Sequence, residues 1–132
     1  MQFRLSIQIW QVSPDVENGD GYTMVPGKEA LGLSGEFAFV YSYPLVNEVR
    51  FRRDIEPGMS AFDLMLLGAE DYRRMYREEE EVTGAPGRVP GMYNRAPTEG
   101  PYGIYGHDLR DLGFEMIEVD VENRTVSFSV GS

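Results

Sequence analysis

The 132-residue chain contains no cysteine. Disulfide bonds, cysteine-ligated zinc and thiol nucleophiles are therefore excluded. No apolar run approaches the roughly 18 residues that a membrane-spanning helix needs. The first residues alternate instead of forming the continuous apolar core of a signal peptide. We therefore expect a cytoplasmic protein with one domain over residues 1–132, since a chain of this length is the size of one domain.

Basic residues are scarce, because 12 Lys and Arg stand against 22 Asp and Glu and give a formal net charge of −10. Binding to nucleic acid by counterion release depends on clustered Lys and Arg, and so does docking on anionic lipid. We therefore expect neither a nucleic-acid nor a membrane partner. The charge favours a basic protein as partner, although acidity also serves solubility alone.

Histidine occurs once, at His107, within a glycine-rich stretch of residues 102–111. The same stretch carries two tyrosines and two carboxylates, namely Tyr102, Tyr105, Asp108 and Asp111. A single histidine excludes multi-histidine metal sites, and adjacent His107 and Asp108 side chains point apart in a helix or strand. We predict no metal, no cofactor and no catalytic residue. We interpret the stretch first as a loop that organises the structure, second as a contact loop for a partner and third as a site of chemistry.

Alternation of apolar and polar residues predicts five strands. The alternation covers about residues 3–9, 36–43, 49–52, 117–121 and 126–130, and Pro14 ends the first strand. The second and third are expected to pair antiparallel across a turn at Pro44, and the last two form a hairpin. Phe114 and Met116 are out of phase with Ile117, so we expect a bulge or the entry of the strand near Met116.

A capping box of Ser60 and Asp63 predicts the start of a helix of about residues 60–81. An apolar stripe follows it at helical spacing: Phe62, Met65, Leu66, Ala69, Tyr72 and Tyr76. Gly68 weakens the helix by roughly 1 kcal/mol relative to Ala, and its small size allows close packing on a sheet.

These elements predict an α+β fold. A mainly antiparallel sheet of about five strands packs one face on the helix, in the order β-β-β-α-β-β. A short helical turn is expected near residues 107–112, and residues 84–100 form a loop rich in glycine and proline.

Two charged clusters stand out. Glu78, Glu79, Glu80 and Glu81 end the helix, where its dipole disfavours negative charge. A basic partner would explain them, and so would a solvated, fraying helix end. Arg50, Arg52 and Arg53 could bind an anion or offset nearby carboxylates.

Three functions are compatible with these features. The first is a non-catalytic binding domain that neutralises a basic partner, as immunity proteins and inhibitors of nucleic-acid enzymes do; this is an analogy of class and charge. Its contact surface would combine the acids of residues 78–81 with Tyr102 and Tyr105. The second is a small enzyme or ligand-binding domain with a site around His107, Asp108 and Asp111. The third is an accessory subunit of a larger assembly, with Trp10 in the interface.

Overall fold

A computed structural model describes residues 4–15, 26–91 and 94–131. Within them the chain forms five strands, one long helix and a single 3-10 turn. The elements are β1 (Arg4–Val12), β2 (Gly35–Tyr41), β3 (Val49–Ile55), α1 (Ala61–Thr83), the 3-10 turn Leu109–Asp111, β4 (Gly113–Asp120) and β5 (Thr125–Gly131). The predicted α+β class and the position of the helix after the third strand are confirmed. In the described ranges, no helix is both long and apolar enough to cross a membrane.

The five strands form one sheet in the order β1-β4-β5-β2-β3. The predicted antiparallel pairing of β2 with β3 and the final hairpin of β4 with β5 are both confirmed. The predicted bulge is also present, because the β4–β5 register shifts between Phe114 and Met116. One pair is parallel, with Ala38 opposite Thr125 and Val40 opposite Ser127, and it joins the two hairpins into a mainly antiparallel sheet.

Helix α1 begins at the predicted capping box. The Ser60 side chain accepts a hydrogen bond from the Asp63 N–H, and the Asp63 carboxylate accepts one from the Ser60 N–H at 2.9 Å. The helix continues two residues beyond the predicted end, to Thr83. It packs on the face of the sheet that carries Phe37, Phe39 and similar buried side chains.

Close contact between helix and sheet depends on Gly68. A Cβ at this position would lie 2.5 Å from Cζ of Phe128. The Phe128 ring in turn stacks on Tyr41 and packs against Phe114. A small residue at 68 therefore lets the helix backbone approach an aromatic layer at the centre of the core, as the sequence suggested.

The first strand ends at Val12, before Pro14 as expected. The short helical turn covers Leu109–Asp111 and is narrower than the predicted range of 107–112. It is closed by local hydrogen bonds, from the Asp111 N–H to the Asp108 carbonyl and from the Leu112 N–H to the Leu109 carbonyl. The side chain of Trp10, proposed as an interface residue, lies outside the described part of the chain.

Candidate functional site

The four acids at the end of α1 do not form one surface. Glu79 is completely buried. Its carboxylate accepts a hydrogen bond from the Thr98 hydroxyl at 2.6 Å. It also accepts hydrogen bonds from four backbone N–H groups of the following loop, those of Gly100, Tyr102, Gly103 and Ile104.

These hydrogen-bond donors stabilise the ionised form of Glu79. Burial is the largest single influence and raises the carboxyl pKa, but the hydrogen bonds from Thr98 and the backbone outweigh it, so the pKa is lowered overall. Glu79 is therefore an ionised anchor for the loop, and its burial leaves it no surface to offer a partner.

The neighbouring acids face in other directions. Glu78 accepts a hydrogen bond from the Tyr102 hydroxyl, which lowers the pKa of Glu78, while burial and this contact raise the pKa of Tyr102 to about 12. Glu80 pairs with Arg95 at 3.1 Å. Glu81 is well exposed and only loosely paired with Arg77.

The stretch of residues 102–111 is divided between core and surface. Tyr102 is buried, whereas Tyr105 is 38% exposed. His107 is half-buried, with its ring 6.1 Å from that of Tyr43, and its backbone carbonyl accepts a hydrogen bond from the Tyr76 hydroxyl.

The two carboxylates of this stretch also separate. Asp108 pairs with Arg88 at 2.7 Å, and Asp111 is exposed at the end of the 3-10 turn. Across the described ranges, no group of three or more His, Asp and Glu side chains is arranged to hold a metal ion.

The most distinctive charge in the molecule is that of Arg95, whose side chain is 1% exposed. Its Nη1 donates to Glu80, and its guanidinium carbon lies 5.0 Å from the centre of the Tyr76 ring. Its Nε and Nη2 are buried and have no hydrogen-bond partner among the described residues. A buried guanidinium normally has its donors satisfied, so two open donors call for an explanation.

Arg95 lines an open cleft of about 690 Å³, which we call the Arg95 cleft. One wall is the C-terminal half of α1, and the other is formed by the loop and the 3-10 turn. Five arginines contribute to its lining, namely Arg73, Arg77, Arg88, Arg95 and Arg110. Asp15, Glu80, Glu81 and Asp108 are the acids that line it.

A second cleft, of about 500 Å³, lies between α1 and the edge strand β3 and is here called the Arg53 cleft. It also holds five arginines, namely Arg52, Arg53, Arg73, Arg74 and Arg77, together with the acids Glu70 and Asp71. The two clefts share Arg73 and Arg77, so they adjoin along one side of the helix.

The floor of the Arg53 cleft holds a buried polar group. Asp71, only 1% exposed, accepts a hydrogen bond from the Tyr41 hydroxyl and another from Nη1 of Arg53, each at 2.5 Å. Burial raises the pKa of Asp71, although Tyr41 and Arg53 act in the opposite sense. Nη2 of Arg53 bonds to the exposed Glu70 at 3.0 Å. Arg53 is thereby fixed at the cleft wall.

The distribution of charge between the clefts and the rest of the protein is uneven. Eight of the chain's 12 basic residues line the two clefts, with only six of its 22 acidic residues. Among the described residues, four basic and 14 acidic residues therefore lie outside the clefts. A strongly acidic protein thus concentrates its positive charge around one side of one helix.

Sequence reasoning missed most of these residues. It singled out Arg50, Arg52 and Arg53, and the structure pairs them with carboxylates: Glu48, Glu36, and Glu70 with Asp71, respectively. The helix arginines were the available signal, because Arg73, Arg74 and Arg77 are spaced i, i+1 and i+4 and therefore lie on one side. Arg95 stands in an irregular loop, where no pattern predicts burial.

Comparisons of the chain with protein-family models, with curated proteins and with solved structures gave no significant match.

Proposed function

We propose that the protein is a ligand-binding domain and that its ligand is an anion held in the arginine-lined clefts. The observation that carries the proposal is Arg95, a buried cation at a cleft whose Nε and Nη2 have no hydrogen-bond partner among the described residues. An unsatisfied buried donor costs about 1–3 kcal/mol, and a phosphate or carboxylate oxygen would satisfy it. This proposal develops the ligand-binding alternative and moves the site from His107 to the arginines.

The carboxylates that pair with these arginines reach the solvent. Glu80, which pairs with Arg95, is 44% exposed, and Glu70, which pairs with Arg53, is 61% exposed. Each carboxylate can therefore be hydrated when an anion takes its place at the guanidinium. The Nε and Nη2 atoms of Arg95 are covered by protein, so an anion that binds them requires the surroundings of Arg95 to rearrange.

Arginine suits this task better than lysine would. Its planar guanidinium donates two parallel hydrogen bonds to a phosphate or carboxylate and keeps its charge at every physiological pH. Of the 12 basic residues, all eight at the clefts are arginines. Asp108, a predicted site residue, takes part indirectly, since it orients Arg88 at the rim.

The test is calorimetric titration of the protein with inorganic phosphate, against sodium chloride of equal ionic strength. Arg95→Met removes the buried charge but keeps an apolar stem, and we expect it to abolish phosphate binding while the folded protein stays as stable or gains stability. Arg4→Met is the matched control, because Arg4 is 56% exposed and pairs with Asp120 away from the clefts. Phosphate binding by Arg95→Met equal to wild type would contradict the proposal, as would no binding by the wild type.

A second candidate function retains the acidic surface. Among the described residues outside the clefts, acidic residues outnumber basic ones 14 to four, and this excess favours a basic protein partner of the inhibitor or immunity kind. Tyr105 and Glu81 are the exposed members of the predicted contact set that remain available to it. Cross-linking in the native host tests this candidate, which fails if no basic protein is captured.

Light scattering on the purified protein would test the further alternative, an accessory subunit that self-associates.

A further inference from the structure

We infer that the ligand is a compact molecule with two anionic groups, one held in each cleft. This inference rests on the proposed function and adds the class of ligand to it. The starting observation is that the Arg95 cleft and the Arg53 cleft share Arg73 and Arg77. These two residues are one helical turn apart, roughly 6 Å along the axis, so one small molecule can contact both clefts at once.

Each cleft has its own fixed cation at depth. In the first it is Arg95, and in the second it is Arg53, whose side chain is 21% exposed and is held by Asp71 and Glu70. Exposed arginines, including Arg110 and Arg52, lie further out at each cleft. The same arrangement, an inner guanidinium with outer ones, therefore occurs twice. A ligand with two anionic groups would contact the arginines of both clefts, whereas a ligand with one anionic group would contact those of one cleft alone.

The charge outside the clefts limits the size of the ligand. Among the described residues outside the clefts, 13 acidic residues besides the buried Glu79 stand against four basic ones, so a long polyanion that extends past the clefts is repelled. A compact ligand avoids this repulsion because all of its charge stays near the arginines. Cleft volumes of about 690 and 500 Å³ are also in the range of small-molecule sites. The ligand class is thus a small molecule with two phosphate or carboxylate groups on a short spacer.

The experiment compares inorganic phosphate with a series of alkane-diol bisphosphates of increasing spacer length, by calorimetric titration of the full chain. A bisphosphate that spans the clefts binds with a 1:1 stoichiometry and about a hundredfold more tightly than phosphate, because its second group binds at high effective concentration. A matching series of dicarboxylates shows which anionic group the arginines prefer. A short single-stranded oligonucleotide serves as the extended polyanion.

Three exposed arginines supply matched variants. Arg110→Gln alters only the Arg95 cleft and Arg52→Gln only the Arg53 cleft. Each should remove most of the advantage of the bisphosphate over phosphate and leave the fold intact. Arg50→Gln is the control, since Arg50 is also exposed, pairs with Glu48 and lines neither cleft.

The outcomes separate this inference from the proposed function. If phosphate binds in an Arg95-dependent manner but no bisphosphate binds more tightly, the two-group ligand is wrong and anion binding stands. If neither phosphate nor any bisphosphate binds, both fail. If the oligonucleotide binds more tightly than every bisphosphate, the compact ligand is wrong. A bisphosphate advantage that survives both cleft variants would likewise overturn the inference.

Discussion

The Tyr102 backbone N–H donates to the Glu79 carboxylate at 2.9 Å and so ties the glycine-rich loop to the end of helix α1. This contact explains why an acidic residue is placed where the helix dipole disfavours it, since N–H groups of the loop supply the compensating positive ends. The loop surrounds the Glu79 carboxylate, and the same loop places Arg95 in the wall of the Arg95 cleft.

Glu79→Gln should destabilise the protein by about 3 kcal/mol, because an amide offers one acceptor oxygen and turns a donor toward backbone N–H groups. Urea unfolding measures the change. Glu81→Gln is the matched control, as Glu81 is 66% exposed, and its effect should stay within about 0.5 kcal/mol. Equal stability of the two variants would show that the loop is held by other contacts.

Glu79 should also contribute to the pH dependence of stability. Its pKa in the folded protein lies below the ordinary value of 4.5, so its stabilising contribution is present above pH 4.5 and is lost as the pH falls through the folded pKa. Asp71 has the opposite effect on the pH dependence of stability, because its pKa is raised in the folded protein. The comparison is therefore made between wild type and Glu79→Gln, and the free energy of unfolding of the variant should fall less steeply below pH 4.5. Parallel curves would contradict this assignment.

Gly68→Ala should destabilise the protein by about 1–3 kcal/mol even though alanine favours a helix, because the new Cβ meets the Phe128 ring at 2.5 Å. Thermal and urea unfolding measure the change. Gly58→Ala is the control, since a Cβ there meets no atom within 4 Å. Adding Phe128→Leu should recover part of the loss, and simple additivity in this double-mutant cycle would argue against the steric cause.

Tyr41→Phe should cost more than Tyr72→Phe, although both remove one buried hydroxyl. The Tyr41 hydroxyl donates to the Asp71 carboxylate, whereas that of Tyr72 donates to the Tyr43 backbone carbonyl at 2.7 Å. Hydrogen bonds to charged groups contribute about 1.5–3 kcal/mol, against about 0.5–1.5 kcal/mol for neutral ones. The free energies of unfolding of the two variants test this order, and an equal or smaller cost for Tyr41→Phe would contradict a stronger hydrogen bond to Asp71.

Local patterns predicted much of the fold. The capping box at Ser60, the alternation in the final hairpin and the register change at Met116 are all set by neighbouring residues, and the structure contains each of them. The order of the strands was not predicted, because the parallel pairing of Ala38 with Thr125 joins residues far apart in the chain.

The candidate site was harder to predict for the same reason. Four consecutive glutamates look alike in the sequence, and only the helical stripe through Tyr72 and Tyr76 indicates that Glu79 turns inward. No sequence pattern indicates that Arg95 is buried, because its position depends on the path of an irregular loop. That path is fixed by hydrogen bonds from the loop to Glu79. The clefts are therefore a property of the assembled helix, loop and edge strand.

The sheet order also governs when the protein can fold during synthesis. Strand β1 pairs with β4, and β2 pairs with β5, so the last hairpin fills the space between the first two strands. Until that hairpin leaves the ribosome, β1 and β2 each carry an unpaired edge, and such edges are prone to aggregation. The strands β1 and β2 must therefore wait for residues 113–131 before the sheet, and with it both clefts, can close. Loss of the C-terminal hairpin would prevent assembly of the whole sheet.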